Sequence, residues 1–437
     1  MNRPQGGEAE REPLPYLVER HCPVCGGETS REVFVQPTEH ITGIGDIGYH
    51  HRIRLCGDCG FVFAAPILDE SVIARYYETM SNYEHPESEG LRPVEEIRQV
   101  ERQVEIITAR FEDGFVGRAL DIGCSIALTL SKLQARGWEV LGLDPSDTCI
   151  DVSQRELGVR VRKGLFSPEL LKDQSPFDVI ILSHVLEHLV HPAVVLRQLR
   201  ELLSAGGRVY IEVPDLMKPF GVKCYFGFEH VNYFTPTSLT NLLLRCGFDV
   251  DTVNTFDNGR EVCPYYPVVA ATARPAPAKP GHIRNDGSEA MAVIRAYQRE
   301  ASDRAARLSA RISEIVDQTD PGRLALWGAG IHTSQLLSET DLGAASVRCI
   351  FDNDPKKAGG RIKGIPIETF PDDPRKANER VDAILISSEA HEKAIFEQLR
   401  YLEAWGIAVY CLYEGHQAGK RSGLWTVNNP EKEKGDP

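Results

Sequence analysis

Two Cys-x-x-Cys pairs, Cys22 and Cys25 in HCPVCGG and Cys56 and Cys59 in LCGDCGFVF, stand apart by the interval of a zinc ribbon. Each pair can turn two thiolates toward one ion, and the glycines after both let the backbone bend tightly and aim amides at sulfur. Four thiolates close a tetrahedron and leave no position open for a substrate, so the chemistry expected of Cys22, Cys25, Cys56 and Cys59 is structural zinc binding. The neighbouring His21, His50 and His51 read as surface residues.

A second constellation lies in RALDIGCSIALTLSKLQARGWEVLGLDPS. It has the pattern of a strand, a tight turn at Gly123, a helix and a second strand ending at Asp144. An acidic residue at that strand end can accept hydrogen bonds from two ribose hydroxyls, while Asp121 and the turn amides face the rest of an adenosine-containing ligand. A dinucleotide site needs helix amides free for pyrophosphate, whereas DIGCS begins with a carboxylate that opposes phosphate. The expected cofactor is therefore S-adenosylmethionine, held by Asp121, Gly123, Ser125, Asp144 and Ser183. Ser125 and Ala127 put Cβ atoms where such loops usually carry glycine, which predicts weakened or lost cofactor binding. Further along, FDVIILSHVLEHL sets Ser183, His184 and His188 just beyond a strand, at the carboxyl edge where open α/β sheets bind ligands. A substrate role is expected of His188.

Alternating short apolar runs and amphipathic helices must position these groups. RALDIG, EVLGLD, FDVIILS and GRVYIEVPD read as buried parallel strands. A helix is expected between Val94 and Phe111. TPTSLTNLLLRCGF carries a helix start at Thr235, a proline in the first turn and a stop at Gly247. The Pro-rich ARPAPAKPGH reads as a linker. After it, Ile294, Tyr297, Ala301, Ala305, Leu308, Ile312 and Ile315 mark one face of a long helix that packs on a neighbouring domain. RLALWGAG, SVRCIFDNDP, VDAILISS and AVYCLY then form a second βαβ pattern. The organisation read from this is a disordered 1–15, a zinc module at 16–68, the cofactor domain at 69–270, linker and long helix at 271–320, a second Rossmann-like domain at 321–414 and a loose tail at 415–437.

A chain of 437 residues exceeds one ordinary core and suggests two or three domains. The formal net charge of -14, without a Lys/Arg-rich run, disfavours nucleic acid as a partner. Neither a signal peptide nor a membrane span is evident. Eleven cysteines, of which four fall in close pairs, fit a reducing compartment better than a disulfide scaffold, so a cytoplasmic protein is expected.

Together the zinc hooks, DIGCS, HVLEHL and FGFEHVNYFTPTSL resemble the zinc-containing C-methyltransferases of deoxysugar biosynthesis, from Cys22 to about Tyr413, including the LALWGAG and FDNDPKKAGGRIKGIPI segments. The resemblance implies an α/β chain with an N-terminal zinc module, a class I methyltransferase Rossmann-like sheet and a C-terminal Rossmann-like domain. It implies a nucleotide-linked 4-keto sugar as substrate, His230 as the base that forms an enolate, Glu229 as its partner and Tyr83 as a substrate-facing phenol. Gly227 stands where the family pattern has tyrosine, and His184 where it has asparagine. Because both departures lie on the acceptor side, transfer to oxygen or nitrogen of another sugar or small metabolite stays open. A noncatalytic sugar-nucleotide-binding or scaffold protein is the alternative from another class, motivated by Ser125 and Ala127. In the C-terminal domain Gly328, Ala329 and Gly330 could face a diphosphate, with Asp352 and Asn353 near a ribose. A packing or dimer platform is the competing reading of that domain, and the sequence assigns no oligomeric state.

Overall fold

The computed structural model describes residues 17–41, 45–69, 71–73, 76, 94–174, 176–219, 225–257, 267–281, 283–388 and 391–413. They divide into two compact units, 1–37 with 50–295 and 38–49 with 296–437. Tyr83, the N-terminal 1–15 and the expected tail at 415–437 lie outside the described residues.

The described chain begins with β1 (Leu17–Val18), β2 (Ser30–Ile41), β3 (Gly45–Cys56), β4 (Val62–Ala64) and β5 (Ile67–Leu68), with β3 antiparallel to β4 and β1 to β5; all of these belong to the first unit except the parts of β2 and β3 within 38–49. A seven-stranded sheet follows, made of β6 (Arg118–Ile122), β7 (Glu139–Asp144), β8 (Val161–Lys163), β9 (Phe177–Ser183), β10 (Leu203–Pro214), β12 (Phe248–Phe256) and β13 (Val268–Pro275), after the short β11 (Asn232–Tyr233). Its order is β12-β13-β10-β9-β6-β7-β8, parallel from β10 to β8 and closed by an antiparallel pair. The four runs read as parallel strands are β6, β7, β9 and β10. They are nearly continuous apolar runs because helices cover both faces. Alternate residues divide between the faces: Leu120, Ile180 and Ile211 enter one core with Phe61 and Phe63, while Ala119, Ile181 and Tyr210 enter the other with Val104.

Helix α1 (Val94–Thr108) buries Val100, Val104 and Ile107, and α2 (Leu128–Gln134) follows the cofactor turn. The helix signalled by TPTSLTNLLLRCGF runs from Pro236 to Arg245, with Thr235 as its cap: its hydroxyl accepts the Ser238 amide, Ser238 returns the bond, and Gly247 ends the helix at φ +86°. Part of the Pro-rich run expected to be a linker is built into this unit instead. Residues 273–275 belong to β13, and Ala276 and Lys279 amides donate to the Gly247 and Leu244 carbonyls that the helix end leaves open.

The long helix Gly287–Asp317 buries Ile294 near its start, and Ile312 and Ile315 near its end pack on the core of the second unit. That unit holds β14 (Leu324–Trp327), β15 (Val347–Phe351), β16 (Arg361–Ile362), β17 (Ile365–Glu368), β18 (Ala383–Ile386) and β19 (Ala408–Tyr410), in the order β16-β17-β15-β14-β18-β19. All its pairings are parallel except the β16-β17 hairpin. Among the described residues no helix is long and apolar enough to cross a membrane.

Thr235 also donates to Asp286 at 2.7 Å. Thr235→Ala removes both the cap and this tie, and should destabilise the first unit by about 1–2 kcal/mol. Its unfolding midpoint in urea, followed by tryptophan fluorescence, checks this.

Candidate active site

The two cysteine hooks meet. Cys22 Sγ lies 3.6 Å from Cys59 Sγ and Cys25 Sγ 3.5 Å from Cys56 Sγ, with all four sulfurs within 4.8 Å of one another. Each hook is a tight turn: the Gly26 amide donates to the Cys22 carbonyl and the Gly60 amide to the Cys56 carbonyl, with both glycines at positive φ. A Cβ at Gly60 would stand 2.6 Å from the Gly287 nitrogen. The Gly27 amide points at Cys25 Sγ at 3.3 Å, and with the Cys22 thiol as the larger influence it holds Cys25 down at about 7. Four sulfurs at such spacing, met by an amide donor, fit a tetrahedral thiolate site for a cation of zinc type.

The cofactor crevice opens where the strand order reverses, between β6 and β9. Gly123 turns the chain at φ +68°, its amide donating to the Leu143 carbonyl, and a Cβ there would meet Val185 at 2.7 Å. Asp144 accepts the Ser125 amide at 2.8 Å and the Ser146 amide at 2.9 Å, which ties the turn to the end of β7. Asp121 is buried, and its Oδ1 has no hydrogen-bond partner. Burial first, and then the charge of Asp144, push its carboxyl well above the usual range. An orphaned carboxylate oxygen beside a glycine cradle is what a cationic, donor-rich ligand would complete. Ser125 and Ala127 keep the left-handed backbone of the glycines they replace, at φ 49° and 56°. Their Cβ atoms thus cost backbone strain, of order 1–2 kcal/mol each, rather than a change in the course of the turn.

Beyond β9, Ser183 accepts the Gln103 side-chain amide at 2.9 Å. The same glutamine, with Gln99, Arg102 and Tyr210, surrounds the buried Glu212 at 2.6–3.1 Å. His188 donates through Nδ1 to the Glu229 carbonyl at 2.9 Å, and its ring meets that of His230 at 4.9 Å between centroids. His230 is buried, and burial above all, then His188, lowers its imidazole to about 4. The Glu229 carboxylate accepts the Tyr76 hydroxyl. Tyr76 is fully buried against Phe228, and a second phenol, Tyr233, donates its hydroxyl to the His230 carbonyl at 2.6 Å. The peptide after His230 joins the cysteine module: β11 pairs with β4, and Arg20 donates to the carbonyls of Ala64, Val190 and Val231 and to Asn232. His51 corrects the surface assignment made from sequence. It is fully buried, and its Nε2, to which we assign the hydrogen, lies 3.0 Å from the His230 carbonyl and 2.9 Å from the Tyr233 hydroxyl. His21 and His50 are exposed.

Residues 95–253 match the profile of a family described as a methyltransferase domain. A ubiquinone biosynthesis O-methyltransferase of Aeromonas salmonicida is 31% identical over 174 residues, covering 39% of this chain and 72% of that protein. The chain belongs to the S-adenosylmethionine-dependent methyltransferases. A protein of the same description from Pseudomonas aeruginosa is 30% identical to the methyltransferase over 175 residues, covering 39% and 73%. Magnesium protoporphyrin IX methyltransferase from Synechocystis PCC 6803, solved with bound S-adenosylhomocysteine, superposes with a TM-score of 0.37 at 15% identity over 47% of this chain and 99% of its own.

Of the residues singled out from sequence, Asp121, Gly123, Ser125 and Asp144 meet in the methyltransferase's crevice, with Ser183 at the edge of the same sheet. His188, Glu229 and His230 meet beside the strand end. Sequence reading named Tyr76 only as a residue that, with Tyr77, could be confused with Tyr83, and it missed Glu212, Gln103 and the burial of His51.

Two measurements follow from the crevice. Ser125→Gly relieves a positive φ without touching the amide that Asp144 accepts, and should stabilise the first unit by up to about 1 kcal/mol in a urea titration. The raised Asp121 carboxyl favours the folded apoprotein at low pH, and that contribution is lost as pH rises through its raised value. A cationic ligand favours the ionised form instead. S-adenosylmethionine affinity should therefore strengthen as pH rises through the raised Asp121 value, and Asp121→Asn should flatten the trend in calorimetric titration.

Proposed function

We propose that this methyltransferase adds a methyl group to carbon next to the ketone of a nucleotide-linked keto sugar, through an enolate generated by His230. The observation that carries the reading is the Tyr76–Glu229 hydrogen bond beside the His188–His230 ring pair. It gathers a phenol, a carboxylate and two imidazoles around the Glu229–His230 peptide. The family pattern's tyrosine is missing at Gly227, and Tyr76 supplies a phenol in the same neighbourhood. His230 is neutral at pH 7 and has a lone pair for the acidic C–H beside a ketone. S-adenosylmethionine, when bound, supplies an electrophilic methyl on sulfur. Asp121, Gly123, Ser125, Asp144 and Ser183 are the residues we assign to it, and Tyr83 stays a proposed contact of the sugar.

Zinc on Cys22, Cys25, Cys56 and Cys59 has a structural role in this proposal, holding the sheet from which β11 and His230 extend. A reducing, cytoplasmic setting agrees with the free thiols. The C-terminal unit is assigned to the nucleotide. There Ala329 N–H donates to Asp352 at 2.7 Å, as Ser125 does to Asp144. O-methylation is the second reading, supported by the names of the curated relatives.

Incubation with labelled S-adenosylmethionine and a nucleotide-linked 4-keto-6-deoxysugar should give a product whose methyl survives acid hydrolysis and bears a carbon-bound shift. His230→Ala should lower kcat by about 10²- to 10⁴-fold with cofactor affinity retained. An acid-labile or oxygen-bound methyl would replace the carbon reading with the oxygen one.

A further inference from the structure

Carbon methylation releases one proton per turnover. The acceptor C–H bond breaks, its proton goes to the base, and its electron pair forms the C–CH3 bond as the S–CH3 bond breaks. His230 is only 9% exposed, so the proton it takes has no direct way to bulk water. Glu229, its neighbour in sequence, is committed elsewhere, its carboxylate to Tyr76 and its carbonyl to His188. The carboxylate that does face the imidazoles is Glu187. Its side chain is 1% exposed, and neither oxygen meets hydrogen-bond geometry, although His184 Nδ1 lies 3.2 Å and His188 Nε2 3.9 Å from Oε1. His230 is within 4.8 Å of both Glu187 and His188.

A buried carboxylate without a donor is costly. Because His188 gives its Nδ1 hydrogen to the Glu229 carbonyl, its Nε2 turns a lone pair toward Glu187 unless a proton sits between them. The arrangement is favourable only when the group holds an extra proton. His184 completes it at the open side, with a side chain 31% exposed and Nε2 4.0 Å from Glu212. It is held at φ 54° where the resemblance expects asparagine, so the third imidazole is a feature of this chain.

We propose that Glu187 is a positioning residue that joins His184, His188 and His230 into one proton-sharing unit whose solvent-facing end is His184. The proposal rests on the reading of His230 as the base. The proton taken by His230 passes to the Glu187 carboxylate and on to Nδ1 of neutral His184, whose Nε2 proton leaves to water; exchange of His184 back to its Nε2–H tautomer through solvent then restores every group. The charged and titratable groups facing the unit are Glu212 and Arg102 at His184 and His51 at the His230 carbonyl. Burial opposes a charged His184, and the Glu187 contact outweighs it and raises that imidazole, while the histidines keep Glu187 below its ordinary value.

The test is a pH titration of ¹⁵N-labelled histidines by NMR in the full zinc-loaded chain, with assignments from His184→Asn and His188→Gln. In the wild type, His184 should titrate above the ordinary imidazole range and share inflections with His188. Glu187→Gln should lower the His184 midpoint by at least one unit, a tenfold loss of proton affinity, and separate the two curves. Glu187→Asp, which keeps the charge but withdraws it, should fall between. His184→Asn should shift the His188 titration. Unchanged midpoints in a folded Glu187 variant would overturn the proposal. So would a second equivalent of bound metal, beyond the cysteine site, that Glu187→Gln abolishes, since the same side chains would then be ligands. No acceptor is needed, so failure of the C-methylation assay and failure here are separate results.

Discussion

The pairing of β4 with β11 is the contact on which the placement of His230 depends. β4 follows directly from the second cysteine hook, and β11 begins two residues after His230, so a two-residue ladder connects a thiolate cluster to the proposed base. So short a ladder is weak by itself. It is reinforced by Arg20, which gives donors to four acceptors around it, and by Phe61 and Phe63, fully buried on either side of Val62. Loss of one such phenylalanine typically costs about 3–5 kcal/mol. The cysteine module can thus fix the position of His230 through geometry alone.

The loops at the sheet's switch point are organised by a different economy, in which strain and unsatisfied polarity are accepted. Ser125, Ala127 and His184 all hold positive φ, and Asp121 and Glu187 each bury a carboxylate oxygen without a hydrogen bond. Such features cluster where a ligand or a proton supplies the missing interaction. Their concentration within the loops after β6 and β9, and the rigid, apolar strands behind them, belong together: the strands provide the stability that the loops forgo.

What was legible in the sequence follows the range of each physical signal. Strands β6, β7, β9 and β10 and the capped helix after Thr235 are written in local periodicity and capping residues. So are the cysteine hooks and the Gly123–Asp144 relation, whose partners are fixed by one βαβ unit. Contacts between distant segments were not legible. His51 meets His230 across 179 positions and Tyr76 meets Glu229 across 153, and neither carries a spacing that could be read. The Pro-rich run after β13 misled for a related reason. Its composition says linker, yet the open carbonyls at the end of the Thr235 helix recruit its amides.

The two Rossmann-like units make the same turn for different chemistry. In both, an amide of the turn after the first strand donates to the acidic residue ending the second, Ser125 to Asp144 at 2.8 Å and Ala329 to Asp352 at 2.7 Å. In both, the amide two residues beyond that acid donates to it as well. The units part at charge. Lys357 places its ammonium 3.1 Å from Asp352, whereas the first unit adds the orphaned Asp121 to Asp144, and burial and the charge of Asp144 hold the Asp121 carboxyl well above its usual range. A sulfonium compound with a free ammonium group suits the acidic crevice, and a phosphate-bearing ligand would be repelled there. The second unit, with its carboxylate balanced by Lys357, is less hostile to a phosphate than the first.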